Sequence, residues 1–167
     1  SFLSVKILIV TDAYYPQVNG VVRTLHETGE ILKSQGHNIE FITPQQFLTV
    51  PMPKYNEIRL SLNVWPRVSN LINAIKPDAI HIATEGPLGF MARRHCIKNG
   101  LKFTTSFHTR FDKYMKLYMP IIPAKWSEKF LCNFHNKAAR ILVTTESMRE
   151  ELIALGVDNN KMVTWTR

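Results

Sequence analysis

Cysteine is scarce in this chain, and long hydrophobic runs are absent. The 167 residues contain two cysteines, Cys96 and Cys132, which lie far apart and outside any Cys-x-x-Cys or Cys/His cluster. This pattern predicts reduced thiols in a cytosolic protein rather than a disulfide framework or a zinc knuckle. No apolar segment approaches the roughly 20 residues that a membrane-spanning helix needs. We interpret the opening segment as a buried strand rather than a signal peptide, because it has no basic region and no cleavage site.

Glycine-rich nucleotide loops and metal-binding pairs are also missing. The seven glycines show neither the G-x-G-x-x-G spacing nor the Walker A spacing, so a nicotinamide dehydrogenase or a P-loop nucleotidase is disfavoured. No His-Glu-x-x-His or Asp-x-Asp pair occurs, and we therefore expect no protein-bound catalytic metal.

Positive charge is present in excess and is concentrated in one region. The net charge is +8, and residues 102–140 contain eight basic and two acidic side chains, a local charge of +6. A specific anionic surface is therefore a candidate partner. Nucleic acid is disfavoured, because the basic residues are mixed with large aliphatic side chains and do not form a stacking platform.

Strand-like and helix-like segments alternate along the chain. Apolar runs rich in β-branched residues, such as 5–11, 78–83 and 140–145, predict buried strands. Amphipathic segments such as 21–35 predict helices. The composition is that of one soluble globular domain, and the alternation predicts a doubly wound α/β fold with helices on both faces of a mainly parallel sheet of about seven strands.

Two regions between these elements bear on the fold and on the site. The stretch through Pro51 and Pro53 is predicted to be an irregular connection, followed by a more peripheral strand at 57–62. Ligands of doubly wound sheets bind beyond the carboxyl ends of the strands. We therefore expect the loops 12–20, 84–87 and 108–120 to share one cleft.

Two residues in these loops are candidates for ligand binding or catalysis. Gly20 stands where a loop becomes a helix, and the free N–H groups of a helix start can bind a phosphate; alternatively, the glycine only permits the turn. His108 ends a predicted strand and is expected to point into the cleft, where it could bind a sugar hydroxyl or carry a proton.

The predicted helix 124–139 has an aromatic track beside a basic edge. Trp126, Phe130 and Phe134 follow one helical face, and the preceding loop 114–123 is unusually apolar. The track is either core packing or part of an anionic membrane interface. The membrane-contacting candidates are Lys116, Lys125, Trp126 and Lys129.

Four motifs are spread along almost the whole chain. They are TDAYYPQVNGVVRTL at 11–25, HIATEGPLG at 81–89, TSFHTRF at 105–111 and VTTESM at 143–148. In this order and spacing they resemble the family 4 retaining glycosyltransferases, close to the bacterial mannosyl-, glucosyl- and sulfoquinovosyltransferases that glycosylate lipids. The resemblance implies that residues 1–167 are the Rossmann-like, acceptor-binding N-terminal domain of a two-domain GT-B enzyme. The C-terminal domain that binds the nucleotide sugar, with its Arg/Lys pair and Glu-x7-Glu motif, is absent from this sequence.

The same resemblance assigns roles to individual residues. Gly20, with Asn19 beside it, corresponds to the glycine whose backbone approaches the donor diphosphate. His108 corresponds to the catalytic histidine that contacts the transferred sugar. Residues in the acceptor-side loops are Asp12, Glu85, Thr109, Arg110 and Tyr114. The resemblance implies a nucleoside diphosphate sugar as donor substrate and no cofactor bound by the protein.

The implied reaction is transfer of a hexose, with retention, to a hydroxyl of a lipid or glycan acceptor. The isolated chain is expected to be inactive, because the cationic clamp for the leaving diphosphate belongs to the other domain. The expected location is the cytoplasm, with a peripheral place on the inner face of the membrane. Two alternatives stay open: a stand-alone acceptor-binding or membrane-recruiting subunit that works with a separate donor-binding chain, and a non-catalytic binding protein.

Overall fold

A computed structural model describes residues 4–13, 20–52, 55–108 and 119–164. The strands are β1 Lys6–Val10, β2 Asn38–Ile42, β3 Thr49–Met52, β4 Tyr55–Ser61, β5 Ala79–Ile82, β6 Thr104–Phe107, β7 Arg140–Val143 and β8 Met162–Thr164. The α-helices of the described ranges are α1 Gly20–Ser34, α2 Arg67–Ile75, α3 Pro87–Lys98, α4 Ala124–Asn136 and α5 Glu146–Leu155. Short 3₁₀ turns occupy Pro44–Gln46 and Asn159–Lys161.

The chain divides into two compact units, Ser1–Lys102 and Phe103–Arg167. In the first unit β1 lies between β2 and β5 and pairs with both in parallel. In the second unit β7 lies between β6 and β8, again with parallel pairing. The predicted α/β class is confirmed, with six parallel strands and five helices in the described part of the chain.

The prediction for the segment around Pro51 was wrong. Instead of an irregular connection, this segment contains β3, which pairs antiparallel with β4 in a separate two-stranded sheet. The Leu62 N–H donates to the Leu48 carbonyl at 2.8 Å, so the alternation of an antiparallel ladder gives Pro51 a position without a hydrogen bond to β4. A proline there costs no ladder bond, and the strand forms despite it.

Each unit has its own buried apolar side chains. The fully buried side chains of the first unit include Leu8, Val10, Ile42, Ile72, Ile82 and Leu88. Leu131, Phe107, Phe134, Ile141 and Leu152 are fully buried in the second. The continuous apolar runs of β1 and β7 match this burial, as expected for strands covered on both faces.

Local signals fix the ends of the helices. The Thr145 hydroxyl accepts a hydrogen bond from the Met148 N–H and caps the start of α5. Gly156 ends the same helix with φ of +110°, a left-handed conformation that favours glycine.

Candidate functional site

Asp12 joins the end of β1 to the start of α3 in the first unit. One carboxylate oxygen, Oδ1, accepts from the Leu88 N–H at 2.8 Å. The other, Oδ2, accepts from the Thr84 hydroxyl at 2.6 Å and from the Gly89 N–H at 3.2 Å. The first N–H groups of a helix have no partners within the helix, and here a side chain from a distant loop satisfies two of them.

Burial shapes the acidity of this carboxyl. Removal from water raises the pKa of Asp12 above its ordinary value of 3.8, because the charged form loses hydration. The hydrogen bonds from Thr84, Leu88 and Gly89 act in the opposite direction and only partly compensate. Both oxygens thus have partners inside the protein, and the predicted contact of Asp12 with the acceptor stays a prediction.

Two glycines allow this close packing. A Cβ built on Gly86 would overlap the carboxylate of Asp12, and a Cβ built on Gly89 would overlap the carbonyl oxygen of Thr84. Gly86 is therefore explained by the approach of the two loops, and Gly89 by the tight turn from Thr84 into α3. The loops 12–13 and 84–87, two parts of the predicted cleft, do come together.

Gly20 opens α1 and is exposed. No described atom lies within 4 Å of a Cβ built on it, and the first turn of α1 carries no acidic side chain. Packing among the described residues therefore does not require a glycine here. An exposed helix start without acidic side chains suits an anion that approaches the backbone. Asn19 lies outside the described residues.

His108 follows β6 in the second unit and is half-buried. Its Nε2 atom lies 2.8 Å from the hydroxyl oxygen of Ser106, which is buried. Ser106 was missed as a candidate, although side chains two apart on a strand share a face. The alternation of the strand, which gives Ser106 and His108 the same face, could have identified Ser106 as a candidate.

A second histidine, on α4, packs against strand β6. His135 of α4 is fully buried, and its Nδ1 atom lies 2.8 Å from the Thr105 hydroxyl oxygen. Its ring also stacks on Phe107 at a centroid distance of 3.7 Å. The strand that ends at His108 is therefore held firmly to α4.

The remaining predicted site residues divide into described and undescribed ones. Glu85 is buried beside Gly86. Thr109, Arg110, Tyr114 and Lys116 lie outside the described residues, as does most of the loop 108–120. The shared cleft of all three loops therefore stays a prediction.

The aromatic track of α4 divides between core and surface. Phe134 is buried and Phe130 is half-buried, whereas Trp126 is 68 % exposed. Near it, Ile121 is 93 % exposed, and Lys125 and Lys129 are exposed. One end of the helix thus packs in the core, and the other presents apolar and basic side chains together.

The described ranges contain neither a cluster of metal-binding side chains nor a membrane-spanning helix. No group of three or more His, Cys, Asp or Glu side chains in these ranges could hold a metal ion. None of the helices in the same ranges has the length and the hydropathy of a membrane span.

Comparison with solved structures defines the class of fold. Anabaena Alr3699/HepE, solved with UDP and glucose, has a TM-score of 0.58 at 12 % identity, with 96 % of this chain and 43 % of that chain covered. S. aureus MnaA, solved with UDP, also has a TM-score of 0.58 at 12 % identity, covering 95 % and 43 %. The fold is one half of the GT-B glycosyltransferase architecture.

The sequence then gives the family. Residues 18–167 match the model of Glycosyltransferase Family 4, and the chain belongs to that family. The sulfoquinovosyl transferase SQD2 of Arabidopsis thaliana is 25 % identical over 96 % of this chain and 34 % of its own length. A GDP-mannose-dependent alpha-mannosyltransferase of Mycobacterium tuberculosis is 23 % identical, covering 92 % and 45 %. The alpha-monoglucosyldiacylglycerol synthase of Acholeplasma laidlawii is also 23 % identical, covering 92 % and 44 %. The chain therefore spans less than half the length of these relatives.

Proposed function

We propose that this chain is the acceptor-binding half of a retaining glycosyltransferase. The enzyme would move a hexose from a nucleoside diphosphate sugar to a hydroxyl of a lipid or glycolipid. The observation that carries the proposal is the family match over 18–167, which includes the helix start at Gly20 and the strand end at His108. Residues 1–167 would form one N-terminal domain, and the donor would be held mainly by a second domain that this sequence does not include.

The two site residues would have different tasks. The leaving diphosphate develops negative charge, and the exposed start of α1 at Gly20 offers backbone N–H groups and the positive end of the helix dipole. His108 would contact the transferred sugar near the reacting carbon. The Arg/Lys pair of the other domain would supply most of the charge stabilisation, so we expect this chain alone to be inactive.

The donor class follows from the family, and the sugar does not. Three of the similar proteins are named GDP-mannose-dependent alpha-mannosyltransferases, and the two structural neighbours described above were solved with UDP. These names support a nucleoside diphosphate sugar as the donor of this chain.

A lipid acceptor is supported by two independent observations. One of the similar proteins is named alpha-monoglucosyldiacylglycerol synthase. In addition, the exposed Ile121 and Trp126 lie with the exposed Lys125 and Lys129 at one end of α4. Apolar and basic side chains in this combination suit the surface of an anionic bilayer. We therefore propose a cytoplasmic enzyme with a peripheral place on the inner face of the membrane.

The proposal is tested by supplying the missing half. The chain is assayed alone and joined to the C-terminal half of the Mycobacterium tuberculosis mannosyltransferase, with GDP-mannose and a bacterial lipid extract. We expect transfer only by the joined protein, and a large loss of turnover in its His108→Ala variant with little change in donor binding. Turnover of about 1 s⁻¹ or more by the isolated chain would contradict the proposal that a second domain is needed to hold the donor. A joined protein that hydrolyses or binds the donor but glycosylates no lipid would contradict the acceptor class.

A further inference from the structure

Strand β6 carries hydroxyl side chains where apolar ones are expected. Thr105 is fully buried and Ser106 is 2 % exposed, yet the other buried parallel strands of this chain are mostly aliphatic. A buried hydroxyl costs free energy unless it has a hydrogen-bond partner, and an alanine or valine would avoid that cost. Each of these two hydroxyl groups therefore needs an explanation.

The hydroxyl of Thr105 is explained by the packing of α4. It pairs with Nδ1 of His135 at 2.8 Å, and the ring of His135 stacks on Phe107. This pair lies in the interior of the second unit, where His135 is fully buried. It joins strand to helix and is remote from solvent.

The hydroxyl of Ser106 has a different kind of partner. It lies 2.8 Å from Nε2 of His108, which is half-exposed at the end of the same strand. The two residues share one face of the chain, so the backbone of β6 itself sets the distance between them. The buried serine thus meets the one histidine that the proposed function places next to the sugar.

We infer that Ser106 is a positioning residue: its hydroxyl fixes the orientation of the His108 ring and decides which ring nitrogen carries the proton. The inference rests on the proposed function for its consequence in catalysis. A hydroxyl that donates to Nε2 favours the tautomer with the proton on Nδ1, and a hydroxyl that accepts favours the other tautomer. Either way, the ring is ordered before the substrate arrives, which lowers the orientational cost of the reaction.

The direct test measures the ring of His108 in this 167-residue chain. The nitrogen-15 shifts of the ring, recorded above its titration range, give the ratio of the two neutral tautomers. We expect Ser106→Ala to change this ratio about 2- to 10-fold, the effect of one lost hydrogen bond. The matched control Thr105→Val removes the neighbouring buried hydroxyl and should leave the His108 ratio unchanged.

A second variant of Ser106 keeps the test informative if the first one does not fold. Ser106→Cys keeps the size of the side chain and a weak donor, so it should give a ratio between those of the wild type and Ser106→Ala. It carries the test if Ser106→Ala does not fold. The inference is overturned if the folded Ser106 variants leave the tautomer ratio of His108 unchanged. It is also overturned if Thr105→Val changes this ratio as much as they do.

The catalytic consequence is measured in the protein joined to a donor-binding half. Ser106→Ala should lower kcat about tenfold, the equivalent of one hydrogen bond, with KM for the donor unchanged. In a His108→Ala background the same change should have no further effect, because the two residues act as one unit. If His108→Ala itself keeps wild-type turnover, the proposed function of His108 fails while the tautomer result stands. If His108→Ala is impaired and Ser106→Ala is not, the positioning role fails.

Discussion

The hydroxyl of Thr84 lies 2.7 Å from the backbone nitrogen of Asp12 and 2.6 Å from its Oδ2 atom. It accepts a hydrogen bond from the first and donates one to the second. The two residues are 72 positions apart in the sequence, and the pair joins the loops that follow β1 and β5. The conformation of the chain as it leaves β1 toward Gly20 therefore depends on a threonine in another loop.

Replacement of Thr84 should destabilise the first unit. Thr84→Val leaves the Asp12 N–H and one carboxylate oxygen without this partner, and we expect the free energy of unfolding to fall by about 1–3 kcal/mol. Thr84→Ser keeps the hydroxyl and should lose less. Urea denaturation of the chain measures both values. A valine variant as stable as the wild type would contradict this role of the hydroxyl.

The raised pKa of Asp12 predicts a pH dependence with a definite sign. The folded chain binds this proton more tightly than the unfolded chain, so the free energy of unfolding falls as pH rises from 3.8 through the folded pKa. Asp12→Asn removes this titration. The stability of the wild type relative to Asp12→Asn should therefore be greater near pH 4 than at pH 7. Urea midpoints of both proteins at a series of pH values test this. A stability difference in favour of the wild type that grows with pH would contradict it.

Gly89 should be intolerant of any side chain. A Cβ at this position overlaps the carbonyl oxygen of Thr84, which is backbone and cannot rotate away. We expect Gly89→Ala to lower the free energy of unfolding by about 2 kcal/mol or more, since the start of α3 must shift. Thermal or urea unfolding measures the loss, and unchanged stability would mean that the turn from Thr84 into α3 adjusts easily.

Gly20 should behave in the opposite way. No described atom lies within 4 Å of its added Cβ, and alanine is the better helix former, so Gly20→Ala should keep or slightly raise stability. In the joined protein the same change should weaken binding of the nucleotide sugar, because the methyl group occupies the space that a diphosphate would need. Donor titration of the two proteins decides between this role and a turn-permitting glycine, for which donor affinity would not change.

The exposed end of α4 predicts binding to anionic vesicles. Each lysine near such a surface contributes about 1 kcal/mol, so the double change Lys125→Glu and Lys129→Glu should lower the partition coefficient at least about tenfold. The control is the double change Arg94→Glu and Lys98→Glu, which alters the net charge by the same amount at two exposed positions of α3. Sedimentation with vesicles should require anionic lipid and weaken with salt. Equal loss in the control would indicate attraction by net charge alone.

The sequence predicted the elements better than the contacts between them. Apolar runs and helix ends are local signals, so the parallel strands and the five helices could be anticipated. The antiparallel pairing of β3 could not, because Pro51 breaks the usual strand pattern and its tolerance depends on the ladder position. The partners of Asp12 lie 72 to 77 residues away, and no spacing in the sequence reveals them. The pairing of Ser106 with His108 is local and was within reach of the alternation rule.

The two cysteines provide each compact unit with its own internal chemical reporter. Cys96 lies on α3 of the first unit, where burial raises the pKa of the thiol to about 11, and Cys132 lies on α4 of the second, where its Sγ donates to the Leu155 carbonyl at 3.1 Å. Both cysteines are buried, so a reagent that reacts with thiolates has no access to either sulfur while the protein is folded. The rate at which each thiol is labelled under native conditions thus records the opening of the unit that contains it. Similar rates at the two positions would mean that the units open together, and different rates would identify the unit that opens first.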